Sequence, residues 1–279
     1  MPNMTRSDAA GRLGAELGLV LATALAAVSL FGIILPSTYT RETTAWAAQA
    51  IGQDWFDLVI AVPWLAVTAR WAERGDASGR LVFAGSVLYA VYELVIYAFG
   101  LHFNALFLLY CGALGVALLT LALTGGSLVQ RPPEPWPARG VPVKTLAGLL
   151  FGTGALFGFL WLAEILPAMA HGGTPASIAA AALPVNPVHV MDLAAILPAH
   201  VAAAALLLQR RRLGEAVATV LLAFGALMAA SIAGMMLVMR LRAAHASAGV
   251  IGGMAGLALA NGLLLARVVR ATAGKRPAS

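Results

Sequence analysis

Four carboxylates lie within or at the edge of long apolar stretches: Asp57, Glu93, Glu164 and Asp192. An ionisable group at membrane depth costs about 2.5–3.5 kcal/mol on insertion scales, so such groups are usually functional. Among lysine and arginine side chains only Arg70 falls in those stretches, at the end of its block far from Asp57; the only lysines, Lys144 and Lys275, lie outside them, which excludes a Schiff base on a buried lysine. Glu93 is the deepest, seven residues before Gly100 and so roughly 10 Å from that helix end. On its helix Tyr89, Tyr92, Glu93 and Tyr97 form an i, i+3, i+4, i+8 stripe leading into the short turn Gly100-Leu101-His102-Phe103-Asn104. His189 and Asp192 share another helix face, and His200 returns near it. Together Glu93, Tyr97, His102, Asn104, Glu164, His189 and Asp192 are expected to line an outward-facing polar cavity that binds a cation, exchanges protons or takes up a small molecule. His102, His189 and Asp192 are the candidates for a divalent metal such as zinc or iron.

Plainer roles compete for several of these residues. Asp57 and Asp192 each open an apolar block and suit helix N-caps, where a carboxylate meets free N–H groups. The tyrosines suit an interfacial aromatic belt. His171 and His245 read as solvated loop residues, His200 as an interhelical hydrogen bonder and Cys111 as a small buried hydrophobe. Met228, Met235, Met236 and Met239 have no accompanying histidine and read as apolar filler. Gly148-x-x-x-Gly152, Gly154-x-x-x-Gly158, Gly249-x-x-x-Gly253 and Gly252-x-x-x-Gly256 are expected to let helices approach closely.

Composition decides which elements hold these residues. Hydrophobic residues make up 61% and charged residues 11% of the chain, where soluble domains carry roughly 25% charged; mean hydropathy is +0.86. The apolar residues fall in blocks near the length that spans about 30 Å of hydrocarbon: Leu17–Pro36, Phe56–Ala72, Leu81–Phe99, Ala105–Thr124, Leu146–Ala168, Val188–Gln209, Ala216–Met239 and Ala246–Arg267. The first is too long for a signal-peptide core. These blocks predict an all-α integral membrane bundle of eight transmembrane helices. Of the 18 Lys and Arg residues, only Arg41, Arg240 and Arg242 fall on one side of the resulting topology. That asymmetry places both termini in the cytoplasm. The basic residues form no stripe with interleaved aromatics, which excludes a nucleic-acid partner, and a single cysteine excludes CxxC chemistry.

The proline-rich segment 125–144 reads as a cytoplasmic linker between two four-helix repeats, 1–124 and 145–279. The repeat signal is local. Leu35-Pro36 matches Leu166-Pro167, Asp57-Leu58 with Pro63 matches Asp192-Leu193 with Pro198, and arginine-rich turns come after both. The loops 37–55 and 169–187 are alike in length, each with room for a short helix near Thr43 or Thr174-Pro175. An even number of helices per repeat sets the halves parallel, about an axis along the membrane normal.

The Tyr89–Tyr110 run, with its Tyr-Ala-Phe-Gly-x-x-Phe-Asn-x-Leu-Phe-Leu-x-Tyr pattern, and the Asn186–Leu193 run resemble a group of uncharacterised bacterial polytopic membrane proteins. The resemblance implies the eight-helix fold and a bacterial cytoplasmic membrane, and implies no activity, cofactor or substrate. Three classes of function stay open. The first is a small-molecule or ion (proton or cation) binding or transport protein with a polar site opening to the outer face. The second is an accessory or scaffolding subunit, whose partners are the bilayer and a second copy or a membrane partner subunit. The third is a metal-dependent membrane enzyme, for which no HExxH or comparable spacing speaks.

Overall fold

The computed structural model describes residues 6–133, 136, 140–242 and 246–273. In chain order the helices are α1 (Arg6–Ile34), α2 (Thr44–Phe56), α3 (Val62–Glu73), α4 (Ala77–Gly100), α5 (Phe107–Gln130), α6 (Val143–Ala170), α7 (Ala176–Ala181), α8 (Pro187–Met191), α9 (Leu197–Leu208), α10 (Arg212–Leu241) and α11 (Ala248–Ala273). One π-helical turn, Asp57–Ala61, joins α2 to α3, and another, Asp192–Ile196, joins α8 to α9. There is no strand among the described residues. The chain thus holds 8 helical spans long and apolar enough to cross a membrane. In hydrocarbon every backbone polar group needs an internal partner, which the helix supplies along its whole length.

Local chemistry sets the ends. The Thr43 hydroxyl accepts from the Trp46 amide, Asp76 from the Gly79 amide and Asn186 from the Val188 amide. Asp57 and Asp192 therefore do not cap their spans; Thr43 and Asn186 do. The second span begins at Thr44 rather than Phe56, because the polar residues of α2 are buried against other helices and do not end the crossing. Likewise α5 runs to Gln130, into the stretch expected as linker: Gly125 and Gly126 weaken a helix without breaking it, and the prolines begin only at Pro132. Cys111, near the start of α5, is exposed on the outside of the bundle and not buried within it. Pro135, Pro137 and Arg139 lie outside the described residues, as do His245 and the C-terminal basic residues Lys275 and Arg276.

The first four spans close into a ring, with α1 against α3 and α5, and α4 against α3 and α5, around a core that includes Leu21, Leu25, Leu65, Phe83, Leu94 and Tyr110. The last four do not close. α10 packs on α9 and α11, and α6 packs on α9, but α6 and α11 form no packed pair among the described residues. α4 and α10 join the halves. They meet so closely that a Cβ at Gly85 would strike the Val220 carbonyl and Ala223, while α2 meets α10 where a Cβ at Gly52 would strike the Met235 backbone. α4 is consequently the most buried span. The expected glycine contacts are mostly not formed: a Cβ at Gly148, Gly152, Gly252, Gly253 or Gly256 would meet nothing within 4 Å, and of the four pairs only Gly154 lies tight against a neighbour, α9. The α6 and α11 faces that carry the other glycines point away from the packed bundle.

Candidate functional site

The site is built where α2, α4, α6, α8 and α10 converge. At the end of α2 and the start of the π-helical turn that follows it, Gln53, Asp54 and Asp57 stand at i, i+1 and i+4, so one side of the continuous helix presents an amide and two carboxylates. Asp54 and Asp57 are both 0% exposed. Asp54 accepts from the Tyr97 hydroxyl at 2.6 Å and from the Tyr39 hydroxyl at 2.7 Å. Asp57 Oδ1 accepts from Tyr89 at 2.7 Å and from the Gln53 amide at 3.0 Å. Its Oδ2 has no hydrogen-bond partner among the described residues. Gly32 of α1 leaves room for this arrangement, since a Cβ there would collide with the Asp54 carboxylate and the Tyr39 hydroxyl. Tyr39 lies in the loop between the first two spans; burial, and then the neighbouring Asp54, push its hydroxyl far above the ordinary phenol range. It stays protonated and keeps donating.

The second half supplies a different set. Asp192 Oδ1 accepts from Tyr92 at 3.0 Å, and its Oδ2 accepts from the Trp161 indole at 2.8 Å. The tyrosines of α4 are therefore not an aromatic belt: Tyr89, Tyr92 and Tyr97 each donate to a different buried aspartate. The His189 ring lies 4.7 Å from that of Trp161, centroid to centroid, and its Nε2 is 3.9 Å from Glu164 Oε2, too far for a hydrogen bond. Neither ring nitrogen of His189 has a hydrogen-bond partner among the described residues, though the residue is only 4% exposed. Glu164 accepts instead from the Ser177 amide at 2.7 Å, tying α6 to α7. His200 places Nδ1 2.8 Å from the Ile196 carbonyl of its own helix, so Nδ1 carries a proton and donates to it. It is not the interhelical bonder expected.

A cavity of about 590 Å³ opens between these groups. Gln53, Tyr92, Glu93, Tyr97, His189 and Asp192 form its polar pole, and Phe157, Leu160, Ile196, Leu197, Met228 and Leu257 are among its apolar walls. No lysine or arginine lines it among the described residues. Glu93 is 4% exposed and has no hydrogen bond among the described residues, so its carboxyl faces the cavity unpartnered. The volume, and apolar walls with a few convergent polar groups, are those of a small-molecule site.

Of the residues singled out in the sequence, Glu93, Tyr97, His189 and Asp192 come together here, with Glu164 just behind His189. His102 and Asn104 do not join them. The His102 amide and Nδ1 pair with Glu42 at 2.7 and 3.0 Å, and Asn104 caps its own turn by accepting from Leu106. His102 thereby fastens the loop before α2 to the turn after α4, while Asn104 bonds only within that turn. Among the described residues no three His, Cys, Asp or Glu side chains are placed to hold a metal ion, and His102 stands apart from His189 and Asp192. Asp54, Gln53, Tyr39 and Trp161 carry no signal of their own in the sequence, although the Gln53-Asp54-x-x-Asp57 face is visible once α2 is extended back to Thr44. Compared with protein-family models, with curated proteins and with solved structures, the chain gives no match, and its geometry alone carries the functional conclusion.

Proposed function

We propose that this protein binds, and in a transport cycle carries, a small molecule or cation whose positive or hydrogen-bond-donating part is received by Glu93. The observation that carries this reading is the Glu93 carboxyl, without a hydrogen bond among the described residues, inside an apolar cavity whose described walls hold no lysine or arginine. Leaving a buried carboxylate without a partner costs several kcal/mol in principle, and a ligand that brings the missing donor repays it. The neighbouring Asp192 carboxyl, with no lysine or arginine in the walls among the described residues, favours a donor-rich or cationic ligand over an anion.

Two further features fit a carrier. Both π-helical turns start at an aspartate, Asp57 or Asp192, and lead into a proline, Pro63 or Pro198, and both aspartates accept from an α4 tyrosine. This correspondence supports a tandem duplication of four-helix halves about an axis along the membrane normal, an architecture in which one half rocks on the other. The arginines at and beside two turns on one face, Arg70, Arg74 and Arg80, then Arg210, Arg211 and Arg212, support a topology with that face in the cytoplasm and the cavity in the outer half.

The test is binding of benzyltrimethylammonium and phenethylamine to the protein in lipid nanodiscs, measured by calorimetry, wild type beside Glu93→Gln. Measurable binding that weakens at least tenfold in the variant is expected, or about 1.4 kcal/mol. Absence of binding, or equal binding by both, sinks the reading. Elemental mass spectrometry of the same samples decides the metal alternative: a stoichiometric ion lost in Glu93→Gln moves the protein to the metalloenzyme class.

A further inference from the structure

The cavity is closed toward both faces of the bundle and unwalled on one flank. Toward the arginine-rich face it is plugged by a cluster in which Leu146, Leu150, Leu207, Leu221, Leu222 and Leu265 are buried together. Toward the opposite face it is roofed by α7 and the start of α2. Ser177, Ala180 and Ala181 of α7 and Trp46 of α2 line it from above, α7 rests on α2, and Ile178 is buried. That roof is fastened: the Ser177 amide bonds Glu164 at 2.7 Å, and the Trp46 indole bonds the Gly100 carbonyl at 2.6 Å.

The flank is different. α6 contributes Thr153, Phe157 and Leu160 to the walls, and α11 contributes Val250, Met254 and Leu257, yet among the described residues the two helices form no packed pair. In the first half the corresponding outer helices, α1 and α5, pack along their length and seal the bundle. The missing α6–α11 seam faces the region that hydrocarbon occupies around a spanning helix, and its rim carries aliphatic and aromatic side chains.

We infer that the ligand is a membrane-dissolved, single-chain amphiphile with an amine or similarly donating head, and that it enters sideways between α6 and α11. This rests on the proposed role of Glu93 and names its ligand class. The head reaches Glu93, with His189 and Asp192 beside it, while the chain lies along Phe157, Leu160 and Met254 and trails into the bilayer. An apolar chain in the seam replaces the helix–helix contact that the second half lacks. A fully water-soluble ligand has no use for it.

The experiment is photolabelling in nanodiscs with dodecylamine carrying a terminal diazirine, mapped by peptide mass spectrometry. Label is expected on 153–161 of α6 and 250–261 of α11, competed by excess dodecylamine and lost in Glu93→Gln. Filling the seam by Thr153→Trp or Met254→Trp lowers the label about tenfold, whereas Leu259→Trp, on the lipid-facing side of α11, leaves it at the wild-type level. Melting temperatures confirm that each variant is folded, and Val250→Trp replaces one that is not. Label confined to α7 and the first turns of α2, but still lost in Glu93→Gln, means entry from the water-facing side; that overturns this inference and leaves the Glu93 reading standing. Label on α6 and α11 that persists in Glu93→Gln or resists competition marks ordinary lipid contact and also overturns it. The separate aromatic-cation titration then decides the Glu93 reading by itself.

Discussion

A carboxylate in a membrane bundle needs either a donor or a proton, and α4 supplies donors at three points. Tyr89, Tyr92 and Tyr97 serve Asp57, Asp192 and Asp54, each within 3.0 Å. Measured hydrogen bonds between membrane helices average only about 0.6 kcal/mol. Removing a donor from a buried acceptor costs more, about 1–3 kcal/mol, because the acceptor is stranded. The second figure governs here, since Asp54 is wholly buried. Tyr97→Phe should therefore destabilise the protein by about 1–2 kcal/mol, read as a lowered melting temperature in detergent. Glu93→Gln should do the opposite. Glu93 has no hydrogen bond to lose among the described residues, so replacing its carboxyl with an amide should raise the melting temperature of the ligand-free protein while ligand binding falls. If Glu93→Gln melts lower than wild type, Glu93 is holding the bundle together and its role as a ligand group is refuted.

At the scale of elements, the two π-helical turns decide where the acidic groups point. A proline lacks an N–H and crowds the carbonyl four residues before it. Pro63 and Pro198 sit just after the turns, and the Val62 and Leu197 amides reach back five residues, to the Asp57 and Asp192 carbonyls. Each turn thus holds an extra residue, which rotates the helix before it by about 100° relative to the helix after it. That rotation lets Asp192 meet Trp161 and Tyr92 while His200 still faces the cavity. Pro198→Ala should relax the turn toward regular α-helix: amide exchange across 193–197, expected to outpace that of the flanking helix in wild type, should slow. Binding should weaken without unfolding. Unchanged exchange at those amides would show that the proline does not maintain the turn. The aspartates at the heads of both turns are visible in the sequence, where their position suggests helix caps. The structure differs because the second span begins at Thr44 and not at Phe56, so Gln53 and Asp54 stand within the crossing and carry the helix past Asp57.

For the whole molecule, the closed first half and open second half are the main asymmetry, and the sidedness of charge is the other. With Cys111→Ser as background, a single cysteine at Ser37 should react with a membrane-impermeant maleimide on intact cells, and one at Gln209 only after lysis. Both positions are exposed and lie on opposite faces of the bundle. The reverse pattern would invert the topology and place the cavity in the inner half.

The number of spans is legible in the sequence alone, because the length and apolarity of a crossing are one-dimensional properties of the chain. So are the depth of Glu93 and the shared face of His189 and Asp192, which helical periodicity fixes locally. The rest was decided by contacts between segments far apart in the chain. Tyr39, Tyr97 and Asp54 meet from three separate elements, His102 is taken up by Glu42 and leaves the site, and Trp161 reaches Asp192. The missing seam between α6 and α11 belongs to the same class. Apart from Glu164 of α6, Asn261 of α11 and the charged residues at their ends, both helices are apolar on every face, so their composition suits lipid and protein equally, and only the packing of α10 against α4 and α2 determines which faces are left over.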